Sequence, residues 1–188
     1  NYRKYENLQK KASPTVLLTA LENIAAVVRH NSNSYYYQTE KWDSSEEKSA
    51  RQRQRLEDID RIQQRITPHL SMLAGTLDSM LKNPALHEYP YMLLPTLLLL
   101  VSDARENARP YLPIFQKALT SPKDYVREAA MHSLAKIQGK EALNFISQHL
   151  EFREPSDGVK KAGKRILDDE NFAGENYITT PILGNYQF

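Results

Sequence analysis

The five histidines, His30, His69, His87, His132 and His149, are the first residues to test for chemistry. None pairs with another at metal-ligand spacing, and the HExxH motif is absent. The chain has no cysteine. Disulfides, thiolate metal sites, iron–sulfur clusters and thiol nucleophiles are therefore excluded. Asp168, Asp169 and Glu170 stand together, but they lack the spaced oxygens of a calcium loop. They also fall near a predicted helix C-terminus, where acids are unfavourable, and read as a solvated linker. No phosphate loop, nucleophile elbow or dinucleotide fingerprint occurs, and the six glycines are scattered. The expectation is a non-enzymatic chain with no catalytic residue, no metal ligand and no cofactor.

Two other constellations suit binding. Tyr35, Tyr36, Tyr37 and Trp42 crowd a connection that reads as a loop over residues 31–44. Tyr and Trp give large contact area at low entropy cost, so these four are candidate partner-binding residues. The competing reading is that the rings pack on neighbouring helices. Arg51, Arg53, Arg55, Arg61 and Arg65 form the main basic concentration. Asp58 shares their arc and Glu57 precedes Arg61 by four residues, a spacing that favours ion pairs along a solvated helix face.

The elements that must carry these residues are helical. The chain is 188 residues long, 40% hydrophobic and 26% charged, with a formal net charge of +2. That is ordinary for a globular protein and gives no footprint of a general nucleic-acid binder. Strand-like alternation is almost absent, and good helix formers dominate. Ser13-Pro14 opens a helix whose stripe is Leu17, Leu21, Ile24 and Val28. Leu56, Ile59, Ile62 and Ile66 form a narrow stripe in the charged segment 46–66. Thr67-Pro68 reads as the next cap-plus-proline start, followed by Leu70, Leu73, Leu77 and Leu81. The run Met92 to Val101 is too short to span a membrane and predicts a central helix, either starting near Pro95 or kinked there. No transmembrane segment is expected. The chain opens on Asn1 with no signal-peptide pattern and reads as a trimmed or mature piece.

A repeat appears in the second half. Residues 110–139 contain Leu112-Pro113, Leu119, Ser121-Pro122, Val126-Arg127, Ala129-Ala130, Leu134, Ile137 and a closing Gly139. Leu143, Ile146 and Leu150 echo Leu112, Phe115 and Leu119 31 residues on, and Val159, Ala162 and Leu167 echo Val126, Ala129 and Leu134 33 residues on. A fainter copy lies upstream at Leu94, Leu97 and Leu98. This pattern resembles the HEAT repeat, including the variant of phycobilisome-lyase-like proteins, best over residues 108–168. The turn departs from the family pattern at Lys123, where an aspartate usually caps the second helix; Asp124 or Ser121 is expected to cap instead.

The resemblance implies an all-α fold: a short right-handed α-solenoid of antiparallel helix pairs. The pairs expected are 68–82 with 89–103, 108–120 with 123–138, and 141–152 with 157–168. Residues 1–66 form an N-terminal helical extension, 67–169 the repeats, and 170–188 an extended tail with apolar anchors. Leu98, Leu112, Leu119, Val126, Ala130, Leu134, Leu143, Ile146 and Leu167 should be buried. The function implied is a protein–protein interaction or scaffold domain whose partner is another protein or peptide. One alternative is nucleic-acid binding, since some HEAT-like DNA glycosylases hold duplex DNA on a basic face. Arg127, Lys160, Lys161, Lys164 and Arg165 would line such a face here. Another is a structural part of an exported or membrane-anchored assembly.

Overall fold

The computed structural model describes residues 66–83 and 93–168, together with 50, 53, 57, 60, 61, 63, 64 and 87. The chain divides into two compact units, residues 1–58 and 59–188, and the helices below belong to the second. They are α1 (Leu70–Leu81), α2 (Leu93–Ser102), α3 (Leu112–Ala118), α4 (Asp124–Ile137), α5 (Lys140–Phe152) and α6 (Asp157–Asp168). Two 3-10 segments, Thr67–His69 and Arg105–Tyr111, precede α1 and α3. No strand occurs among the described residues, so they are all-α. The Tyr35–Tyr37 and Trp42 candidates and the tail beyond Asp168 lie outside the described residues.

α4 organises the packing. It touches α2, α3, α5 and α6, while α1 packs on α2 and α3, and α5 on α6. Its small residues make this possible. Ala129, Ala130 and Ala135 are fully buried and let neighbouring helices approach closely, while Met131 and Leu134 fill the remaining space. At Gly163 on α6, an added Cβ would lie 2.6 Å from Leu150 Cδ2 and 2.9 Å from Met131 Sδ, so α6 reaches α4 and α5 at a point with no room for a side chain. Across the first layer of contacts, Lys117 Nζ on α3 reaches Asp78 Oδ1 on α1 at 3.2 Å.

Several boundaries differ from expectation for identifiable reasons. For α2 (Leu93–Ser102) the start near Pro95, one of the two expected alternatives, holds, and Pro95 falls in the first turn, where its missing N–H is harmless. Residues 105–111 form a 3-10 segment containing Pro110, and α3 starts only at Leu112 with Pro113 in its first turn. Neither Ser121 nor Asp124 caps α4 as expected: its N-cap is Lys123 in extended conformation, with no side-chain cap bond. Ser121 Oγ instead accepts from the Lys123 N–H at 3.3 Å, and Asp124 is held by Arg127. α4 ends at Ile137, and Gly139 serves as the N-cap of α5 with φ +97°. A Cβ there would also sit 3.3 Å from Arg109 Nη2.

The core expectations hold for Leu98, Leu112, Leu119, Val126, Ala130, Leu134 and Ile146, all buried. Two fail. Leu143 is only half-buried, because α5 turns Ala142, Ile146 and His149 inward at intervals of four and three. Leu167 is 36% exposed, because the inward stripe of α6 is Val159, Gly163 and Ile166. Leu167 stands about 100° further round that helix and faces away.

Candidate functional site

Glu154 sits in the α5–α6 turn and is fully buried at its side chain. Arg127, one turn into α4, grips it with both arms of the guanidinium: Nε donates to Oε2 and Nη2 to Oε1, each at 2.8 Å. The remaining Arg127 donors go to Asp124 Oδ1 at 2.8 Å and to the Ser121 carbonyl at 2.9 Å. Glu154 Oε1 also accepts the Ser156 N–H at 2.8 Å, and His149 Nε2 donates to Oε2 at 2.7 Å. Burial by itself pushes the Glu154 carboxyl up. The Arg127, Ser156 and His149 hydrogen bonds outweigh that and bring it to about 2. The Arg127 guanidinium is correspondingly raised, with the Glu154 hydrogen bonds the leading cause. The carboxylate thus stays charged at neutral pH and ties the 121–127 segment at the start of α4 to the 149–156 segment between α5 and α6.

His149 connects this buried cluster to the surface. Its ring is buried against Glu154 yet lines a groove of about 300 Å³ between α3 and α5. Leu119 and Phe145 line the groove with apolar surface, and Gln116, Thr120, Gln148 and Arg153 with polar groups. Phe152 stands at its edge, 72% exposed. Phe152 ends α5, and its successor Arg153 leaves the helix at φ −136° with its N–H on the His149 carbonyl at 2.9 Å. A large ring, a guanidinium and two amides around one groove suit a peptide segment rather than a reacting small molecule.

One nucleophile–base contact exists among the described residues. His87 Nδ1 lies 2.8 Å from Ser121 Oγ, and His87 Nε2 lies 3.1 Å from the Leu81 carbonyl. The carbonyl requires Nε2 to carry the proton, so Nδ1 accepts from the serine hydroxyl. Both side chains are buried, at 7% and 5% exposure. The contact fastens the Ser121-Pro122 turn to the end of α1. No group of three or more His, Cys, Asp or Glu positioned for a metal occurs among the described residues. No helix among them is long and apolar enough to cross a membrane.

Of the five residues read as a basic face, four share α6 and Arg127 does not join them. Arg127 is buried in the Glu154 cluster, 4% exposed. Lys161, Lys164 and Arg165 are exposed on α6, and Lys160 is half-buried with its Nζ 3.8 Å from Asp157. Of the upstream arginines, Arg53 and Arg61 are exposed and helical, and the others lie outside the described residues. Glu154 carries no motif that singles it out in the sequence. Its one signal is a carboxylate opening the turn that follows the next helix after Arg127. Neither does Lys136, 1% exposed on α4, whose Nζ pairs with Asp103 and lies 3.4 Å from the Leu99 carbonyl.

The described residues are all-helical. No family model, curated protein or solved structure matches it.

Proposed function

We propose that this chain is a non-catalytic protein-binding module. In this reading α1–α2, α3–α4 and α5–α6 are antiparallel pairs stacked as a short, right-handed, HEAT-like solenoid, and the groove between α3 and α5 receives a partner segment. The succession of contacts α2 to α4 to α6, with α4 central, supports the stack. The observation that carries the binding reading is Phe152. A phenylalanine 72% exposed beside a groove lined by Leu119 and Phe145 offers the large apolar surface that a docking edge requires. The partner segment carries one bulky apolar side chain for Phe145 and Phe152 and a carboxylate for Arg153. Gln116 and Gln148 supply amides for its backbone. Tyr35, Tyr36, Tyr37 and Trp42 belong to the same reading as a second contact segment.

The test is panning of a displayed random-peptide library against the full chain. Enriched peptides should share an aromatic or leucine next to an acid. Phe152→Ala and Arg153→Glu should each weaken a selected peptide by about 10-fold or more, with unchanged thermal unfolding. Failure to enrich any shared motif, or peptides indifferent to both substitutions, would sink the reading.

A further inference from the structure

The α3–α5 groove is graded in burial. Of the residues that line it, only Leu119 and His149 are buried, at 3% and 5% exposure. Phe145 is half-buried, and the others are exposed. A side chain entering between the helices therefore meets an aliphatic surface and one imidazole at its inner end.

The two nitrogens of that imidazole differ. Nε2 lies 2.7 Å from Glu154 Oε2. The Glu154 carboxyl, lowered to about 2, is ionised and can only accept, so Nε2 carries the proton. In the neutral ring Nδ1 is then an acceptor, its direction fixed by the bond that Nε2 makes to Glu154. Nδ1 has no hydrogen-bond partner among the described residues and is not sealed from solvent. The open part of His149 is the part that lines the groove. Thr120, the one hydroxyl among the lining residues, does not serve it, because Oγ1 donates to the Lys117 carbonyl at 2.8 Å. Before anything docks, water serves that lone pair. A segment that covers it must bring a donor in place of the water, because a covered acceptor left unpaired costs more than a hydrogen bond gains.

Side chains that bring a donor are not equal here. Serine and threonine offer little apolar surface to Leu119 and Phe145. Lysine and arginine bring positive charge toward Arg153, which lines the groove, and Arg127, which holds Glu154 behind the ring. Tryptophan carries its N–H on the side of the ring, whereas tyrosine carries its O–H at the tip. The groove, at about 300 Å³, lies at the small end for ligand sites and suits a single ring. We propose that the groove selects a tyrosine, whose ring lies against Leu119 and Phe145 and whose hydroxyl donates to His149 Nδ1. The assignment rests on the docking role of the groove and names the side chain it takes. His149 then holds Glu154 through one nitrogen and reads the partner through the other.

The test follows p-cresol, toluene and p-methylanisole binding to the full chain by NMR. The cresol has the tyrosine ring and hydroxyl, toluene lacks the hydroxyl, and the methyl ether keeps the oxygen without its proton. The cresol should shift the Leu119, Phe145 and His149 signals and bind about 10-fold more tightly than either of the others. The His149 Nδ1 nitrogen signal should move upfield with the cresol and stay in place with toluene. His149→Leu should make the probes equal. Should that variant fail to fold, the Nδ1 signal of the native chain decides alone. Equal binding of the probes to the native chain would overturn the proposal and leave an apolar docking groove. So would a proton found on Nδ1 in place of Nε2, or unchanged groove signals with the cresol at its solubility limit. The docking role fails separately, on selected peptides indifferent to Phe152→Ala and Arg153→Glu.

Discussion

Arg127 and Lys164 are both cations on helices, α4 and α6, and they do opposite things. Arg127 has lost its water and gained Glu154, Asp124 and the Ser121 carbonyl, so it binds two helix turns together. Lys164 lies exposed on the outer arc of α6 and contributes to the field of that face. A charge therefore has no fixed role in this fold. Its role follows from whether the chain brings an acid to it: Arg127 meets its carboxylate 27 residues on. Buried charges are held in place by one another, whereas exposed ones are free to meet something else.

The comparison is broken most directly at Glu154. Glu154→Ala leaves the Arg127 guanidinium buried without its main partner and should cost about 3–5 kcal/mol, read as a large loss in chemical denaturation. A cost below about 1 kcal/mol would show that water reaches Arg127 and that the two regions do not differ. The apolar counterpart compares Leu134, fully buried, with Leu167, 36% exposed. Leu134→Ala should cost about 2–5 kcal/mol, and Leu167→Ala less than about 1. Equal costs would mean that Leu167 is buried after all.

Acid sharpens the same contrast. The Glu154 carboxyl ordinarily titrates near 4.5 and is lowered to about 2 in the folded protein. Its contribution is complete above about 4.5 and is lost as pH falls toward 2, because the unfolded chain takes up the proton first. The slope corresponds to roughly 3 kcal/mol across that window, and Glu154→Gln should flatten that part of the curve. The smallest effect belongs to the outer face. Lys164→Ala should change stability by no more than about 0.5 kcal/mol in the same denaturation experiment.

Much of the fold was legible because helices announce themselves locally. Leu70, Leu73, Leu77 and Leu81 mark α1 by spacing alone, and all four are buried. Val126, Ala130, Leu134 and Ile137 do the same for α4. Helix ends were less legible. Gln138 shows why: it closes α4 at φ +62°, a conformation that a glycine would favour, and nothing in its type signals that. The candidate groove was not legible either. Phe145, Phe152 and Arg153 belong to α5 and its end, Gln116 and Leu119 to α3 and its end, and no spacing within either helix shows that they line one groove.

What the sequence determined by itself was the helical character, the apolar stripes and the absence of cysteine chemistry, since each depends on residues within a few positions of one another. The tertiary structure decided which charged groups lose their water. Lys136 lies in the last turn of α4, and packing against α2 buries it beside Asp103. Glu154 reads as part of a loop, yet Arg127, His149 and the Ser156 N–H enclose it. Leu167 reads as core, yet it is exposed, because the inward arc of α6 passes through Ile166 instead. The physical reason is common to all three. Burial depends on what stands opposite a side chain, and that neighbour comes from a different helix.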